Sequence, residues 1–210
     1  MKLVVQDVVL EQITPNAAEL IERAGRTCYK SEDRITAESA EKFIRMIVDR
    51  EHLSVLEHAS ATFRVICDRG ISHELVRHRI ASYSQESTRF CNYLKSKFGG
   101  EITFIEPPWI GLTRDEASME WTHLAVHAEQ VYQKLIKLGQ PPELARGALL
   151  IALKTEIVMT ANFREWLLFL SLRATAKAHP QMQEVAGRIA VILEMNCPAV
   201  FRPSIVWRSK

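Results

Sequence analysis

The sequence has no long hydrophobic run. Its longest apolar segment, "GALLIAL" at 147–153, is far short of the about 20 residues that cross a bilayer. The first residues, "MKLVVQDVVLEQ", carry neither the apolar core nor the cleavage site of a signal peptide. A soluble cytoplasmic protein without a membrane partner is therefore expected. Cysteine is sparse: Cys28, Cys67, Cys91 and Cys197 lie far apart, with no C-x-x-C pair and no zinc-like spacing. That pattern predicts free thiols in a reducing compartment and no metal. Charge of one sign is lacking too, since 27 Lys and Arg against 25 Asp and Glu leave a net +2. An extended nucleic acid is thus a poor partner, whereas a small anion needs only a local cluster. No Gly/Ser-rich linker, low-complexity tract or repeat interrupts the chain, so one domain over 1–210 is expected. G-x-G-x-x-G after a strand, G-x-x-x-x-G-K-[ST], H-E-x-x-H and G-x-S-x-G are all absent. A nucleotide, if bound, is held without a Rossmann or P-loop cradle.

What is present is a globular composition, 47% hydrophobic over 210 residues, enough for one well-filled core. "LVVQDVVL" (3–10), "ATFRVICDR" (61–69), "EITFIEPP" (101–108) and "KTEIVMT" (154–160) read as strands. Helices are expected from Thr14-Pro15 to about Tyr29, over 37–50 with Thr36 as cap, and briefly after Gly70 with Ser72 as cap. Longer helices are expected from a Thr113/Glu116 capping box to Leu138, over "PELARGALLIAL", after the Asn162/Glu165 cap, and from Pro180 to Cys197. Met159, Met182 and Met195 fall in apolar stretches and are expected in the core. The fold class is α+β, helices dominant.

"RHRIASYSQESTRF" (77–90) resists any reading as packing. It sets Arg77, His78, Arg79 and Arg89 among the hydroxyls of Ser82, Tyr83, Ser84, Ser87 and Thr88. Four cationic or titratable groups in fourteen residues repel one another unless an anion lies between them. Glu74 precedes Arg77 and His78 by three and four residues, so on a helix one carboxylate could orient both. Arg77, Arg79, Ser87, Arg89, Arg146 and Arg173 all lie at segment ends. Guanidinium groups capture phosphate bidentately, and a hydroxyl pair before Arg89 adds donors. This predicts a phosphomonoester or nucleotide site.

The same stretch closely resembles the signature of the flavin-dependent thymidylate synthases (ThyX), R-H-R-x-x-S followed at fixed distance by S-x-R-[YF]. Arg77, His78, Arg79, Ser82, Ser87, Arg89 and Phe90 fall in register. The likeness extends to "SVLEHASATF", "ISHELVRHR", "ELARGAL", "TEIVMTANFREW" and "LRATAKAHPQM". It implies a ThyX-like single domain, a mixed or antiparallel sheet flanked by long helices. It implies reductive methylation of dUMP to dTMP, with methylenetetrahydrofolate as carbon donor, NADPH as reductant and FAD as cofactor. A homotetramer with active sites where subunits meet is also implied.

Position by position, the resemblance assigns Ser54, Arg77, His78, Arg79, Asn162 and Arg164 to FAD, with His52 and Glu57 beside the flavin. It assigns Glu74, Gln85, Glu86, Ser87, Thr88, Arg89, Arg146 and Arg173 to dUMP, and makes Arg173 the residue that stabilises negative charge on the uracil ring. A fixed guanidinium there makes C5 electron-rich, an electrostatic role like that of an oxyanion hole. No cysteine nucleophile is implied. Departures are Leu150-Ile151, where relatives often carry Pro-Asn, Leu168 in place of a polar residue, and Lys177 in place of His. Two other readings compete: a paralogue that binds dUMP or FAD without turnover, and a small RNA-binding domain stacking bases on Tyr83, Phe90 and Tyr93.

Overall fold

The computed structural model of the chain describes residues 1–110 and 115–202. Its first strand prediction divides. β1 (Lys2–Val4) pairs in parallel with β5 (Thr103–Ile105), while β2 (Asp7–Ile13) joins β3 (Ser60–Asp68), β6 (Lys154–Asn162) and β4 (Ala81–Gln85) in the order β2-β3-β6-β4. Thr14 N donates to Ser60 O (2.9 Å), and Arg64 Nε reaches Glu11 (2.6 Å). Thr62 faces Thr160 across 2.9 Å, and Phe163 N donates to Ala59 O. Residue numbers rise on one strand as they fall on its neighbour, so β2, β3 and β6 are antiparallel. The burial of β6 alternates residue by residue, placing Ile157, Met159 and Ala161 inward.

The chain forms two compact units. The first comprises Met1–Asp7, Val65–Arg77 and Ser84–Ile157. It contains α3 (Arg69–Leu75), α4 (Glu116–Lys137) and α5 (Pro142–Ala145), the last two packed in a core around Ile102, Phe104, Tyr132 and Leu153. The cap of α4 is Asp115, whose carboxylate accepts from Ser118 N; Thr113, the expected cap, lies outside the described residues. Gly139, at φ +87°, supplies the left-handed residue that stops α4. α3 is capped by Asp68, which accepts from Ile71 N at 2.7 Å, and not by Ser72, whose hydroxyl turns back to Arg69 O. The helix expected over 142–153 is only the short α5 and a 3-10 turn at Arg146–Ala148.

The second unit comprises Val8–Arg64, His78–Tyr83 and the chain from Val158. It holds α1 (Ala17–Thr27), α2 (Ser39–Asp49), α6 (Phe163–Arg173) and α7 (Pro180–Asn196). Thr14 does not cap α1. Its hydroxyl pairs with Ser60, and the cap position falls to Asn16 in the left-handed region. Gly25 lets the first two helices close up, since a Cβ there would meet the Phe43 ring at 2.6 Å. Buried Glu22 locks them, accepting from Arg26 (2.9 Å) and Ser39 Oγ (2.8 Å). Trp166 anchors the core edge-on to Phe63 and Phe169, its indole N–H donating to Ala61 O. Met159 and Met182 are fully buried, but Met195 is 79% exposed, on the outer face of α7.

Candidate active site

In the first unit the end of β4 is braced from three sides. Arg69 Nη1 donates to Glu86 O and Thr155 Oγ1, both at 3.1 Å. The Gln85 amide donates to Ser72 Oγ (2.9 Å) and Thr155 Oγ1 (3.2 Å). Glu86 accepts from Tyr93 Oη at 2.8 Å and from Lys154 Nζ at 3.2 Å, and the same ammonium also meets Glu156. Burial acts to lower the Lys154 pKa, but the hydrogen bond to Glu156 and the charge of Glu86 outweigh it, so the lysine stays cationic.

The loop that follows carries the phosphate-type donors. Arg146 Nη1 donates to buried Thr88 Oγ1 at 2.9 Å, and Ser87 Oγ accepts from Arg89 N at 3.2 Å. Arg89 leans on Glu143 at 3.5 Å with both side chains about half exposed, a contact worth roughly 0–1 kcal/mol that an anion can replace. Arg146 is exposed as well. Exposed Arg89 and Arg146 and the half-buried Ser87 hydroxyl are thus the donors of this region, with buried Thr88 holding Arg146, while Gln85 and Glu86 hold the end of the strand.

In the second unit Asn162 caps α6, accepting from Glu165 N at 2.9 Å. The Glu165 carboxylate accepts from His78 Nδ1 at 3.0 Å, and Arg173 Nε donates to His78 Nε2 at 3.2 Å. His78 is only 5% exposed; Phe169 packs edge-on against its ring, and Tyr83 Oη donates to its carbonyl. Burial lowers the His78 pKa, Glu165 opposes this, and the Arg173 charge lowers it again, leaving a neutral imidazole. Burial and the Glu165 charge push the Tyr83 phenol up to about 12.

The same unit has a cavity of about 970 Å³ lined by Leu53, Glu57, Ile80, Asn162, Arg164 and Leu168 among others. Glu57 and Arg164 form an exposed ion pair at 2.6 Å. The lining joins an aliphatic wall and the Asn162 amide to two arginines, each paired with a carboxylate (Arg164 with Glu57, Arg202 with Asp49), and also carries Glu51 and Glu165. The aliphatic wall and amide fit the ring system of a flavin, and Arg164 could meet its phosphate only by leaving Glu57.

Of the sequence-predicted residues, Gln85, Glu86, Ser87, Thr88, Arg89 and Arg146 gather in the first unit. Glu57, Asn162 and Arg164 line the cavity of the second. Ser54, His52, Arg77 and Arg79 are exposed and are not among its lining residues. Glu74 is half-buried on α3, which ends at Leu75, and His78 takes Glu165 as its carboxylate instead. Sequence reading missed the roles of Arg69, Lys154 and Glu165. Glu165 was visible only as a cap partner, because His78 stands 87 positions away.

Fold and site together define an α+β protein with a basic, hydroxyl-lined loop suited to a phosphorylated ligand. Residues 9–199 match the family model described as thymidylate synthase complementing protein. The flavin-dependent thymidylate synthase of Pyrococcus furiosus is 37% identical over 199 residues, covering 94% of this chain and 79% of the relative. That of Geobacter sulfurreducens is 32% identical over 202 residues, covering 93% and 85%. Among solved structures, the UMP/dUMP methylase PolB of Streptomyces cacaoi, bound with 5-Br dUMP, is similar at a TM-score of 0.79 and 25% identity, covering 96% of this chain and 95% of that one. The chain belongs to the flavin-dependent thymidylate synthase family, a family of methyltransferases.

Proposed function

We propose that this chain catalyses the reductive methylation of dUMP to dTMP in the cytoplasm, with 5,10-methylenetetrahydrofolate as carbon donor, FAD as cofactor and NADPH as reductant. The observation that carries this reading is the loop at Ser87, Thr88 and Arg89 to which Arg146 is bonded through buried Thr88, leaving the Arg146 and Arg89 guanidinium groups and the Ser87 hydroxyl as donors for a 5′-phosphate. Charge-assisted hydrogen bonds contribute about 1.5–3 kcal/mol each, so such a loop suffices to anchor a monophosphate. Arg173 stabilises the electron-rich uracil ring.

Glu57, Asn162 and Arg164 hold the flavin in the cavity, and Ser54, His52, Arg77, Arg79 and the His78 region complete its binding surface. When bound, the reduced flavin supplies the one-carbon relay and the hydride. The protein orients, polarises and excludes water. The 210 residues act as one domain, and four copies form the working enzyme, each active site drawing residues from more than one chain.

The test is dTMP formation by the purified protein under anaerobic conditions with dUMP, methylenetetrahydrofolate and NADPH, with and without added FAD. FAD-dependent product is expected. A second reading, a paralogue that binds without turnover, is favoured by Leu168, which presents a half-exposed aliphatic face to the cavity. Bound flavin in the visible spectrum without product would select it. The RNA-binding reading loses a platform, since Tyr93 is 7% exposed with its hydroxyl committed to Glu86.

A further inference from the structure

Glu165 and Arg173 stand near the start and at the end of α6, and the imidazole of His78 connects them. The polarity of that chain is dictated by its members. A guanidinium Nε–H can only donate, so His78 Nε2 must present its lone pair; the ring proton then sits on Nδ1 and is donated to the carboxylate. Phe169 packs edge-on against the ring at 5.0 Å, and Tyr83 Oη donates to the His78 backbone carbonyl. With 5% exposure and both nitrogens engaged, the ring has no donor to spare for a ligand.

We propose that Glu165 is a positioning residue: by fixing the tautomer and orientation of His78 it sets the plane of the Arg173 guanidinium, the group that acts on the uracil ring. This inference rests on the role given to Arg173 under the proposed function. A bond at Nε orients a planar guanidinium more firmly than a contact at one terminal nitrogen, because Nε belongs to both the stem and the plane. Without the carboxylate the imidazole can take either tautomer, and the Nε2–H form sets donor against donor at Arg173. The His78 ring therefore serves Arg173.

The experiment uses the holoenzyme labelled with ¹⁵N-histidine, the His78 signals being assigned with His78→Phe. In the parent, His78 is expected as the neutral Nδ1–H tautomer; an Nε2–H tautomer overturns the proposal. The second readout is dUMP affinity by calorimetry in the parent, Glu165→Gln, Arg173→Ala and the double variant. Glu165→Gln should raise the dissociation constant for dUMP about tenfold in the parent background. On the Arg173→Ala background the same change should cost less than about twofold. Equal factors in both backgrounds, or no effect in either, would sink the idea. If Glu165→Gln fails to melt cooperatively, His78→Phe replaces it in the same cycle with the same outcomes. Neither readout requires dTMP formation. A parent that binds dUMP with the expected coupling but makes no product removes the catalytic reading alone, whereas product formation with additive effects removes the positioning role alone.

Discussion

Arg146 Nη1 donates to Thr88 Oγ1 across 2.9 Å, tying the 3-10 turn after α5 to the loop after β4. Thr88 is 6% exposed, so its hydroxyl holds the arginine and is not itself open to solvent. Arg146→Ala should therefore weaken dUMP binding by one to two powers of ten, about 1.5–3 kcal/mol. Thr88→Val keeps the shape, removes the acceptor, and should cost a smaller factor. Isothermal titration of dUMP into both variants checks the order; a larger loss for Thr88→Val would place the contact elsewhere.

Ser87 differs from its neighbour, since its hydroxyl accepts only from Arg89 N at 3.2 Å and can still donate its own proton to a ligand oxygen. Ser87→Ala should weaken dUMP binding by roughly tenfold or less while leaving the bound-flavin absorbance at parent level. The cavity that fits the flavin is lined by other residues. Equal loss of nucleotide and flavin would contradict that division.

What the sequence made legible is what it stores locally. The 77–90 stretch is dense enough in donors to stand out unaided, and the Asn162/Glu165 cap spans three residues, within reach of pattern reading. Thr14 was misread because its partner, Ser60, lies 46 residues on, and a threonine before proline looks like a cap whether or not a strand claims it. Asp68 outcompeted Ser72 as cap because its carboxylate already stood at the strand end facing Ile71 N. Met195 shows the limit of composition: apolar character gives no side, and the α7 turn carries it outward. The Glu165–His78–Arg173 chain joins sites 87 and 95 residues apart, which no local spacing encodes.

The cysteines should be dispensable for chemistry. Burial pushes the Cys67 thiol up to about 12 and the Cys197 thiol up to about 11, so neither is a thiolate at neutral pH. Burial raises Cys91 as well, helped by the charge of Glu86. Cys28 is exposed at the end of α1, its Sγ directed at Ala24 O. Replacing all four by Ala should preserve the rate of methyl transfer in single-turnover measurements, with a stability cost confined to the buried Cys67 and Cys197. A folded variant in which one substitution stops methyl transfer would overturn the cysteine-free chemistry.

Stability should fall on acidification because of His78. Its folded pKa lies below the ordinary 6.5, chiefly through burial, against the Glu165 hydrogen bond and with the Arg173 charge acting in the same direction as burial. The unfolded chain therefore binds a proton at a pH where the folded chain does not, and ∂ΔG/∂pH is positive in that window. The contribution is complete above 6.5 and is lost as pH falls from there through the lowered folded value. The groups facing the ring are Glu165, Arg173, Phe169 and, at its carbonyl, Tyr83; the phenol, pushed up to about 12, does not titrate in this range. Protonation would set a second cation against Arg173 and turn its acceptor into a donor. Urea denaturation from pH 7.5 down to about 5 should show a steeper loss of stability in the parent than in His78→Gln, which cannot titrate. Parallel profiles would mean that folding leaves the His78 pKa unchanged, and a difference of opposite sign that His78 is charged in the folded protein; the second outcome would reverse or abolish its hydrogen bond with Arg173.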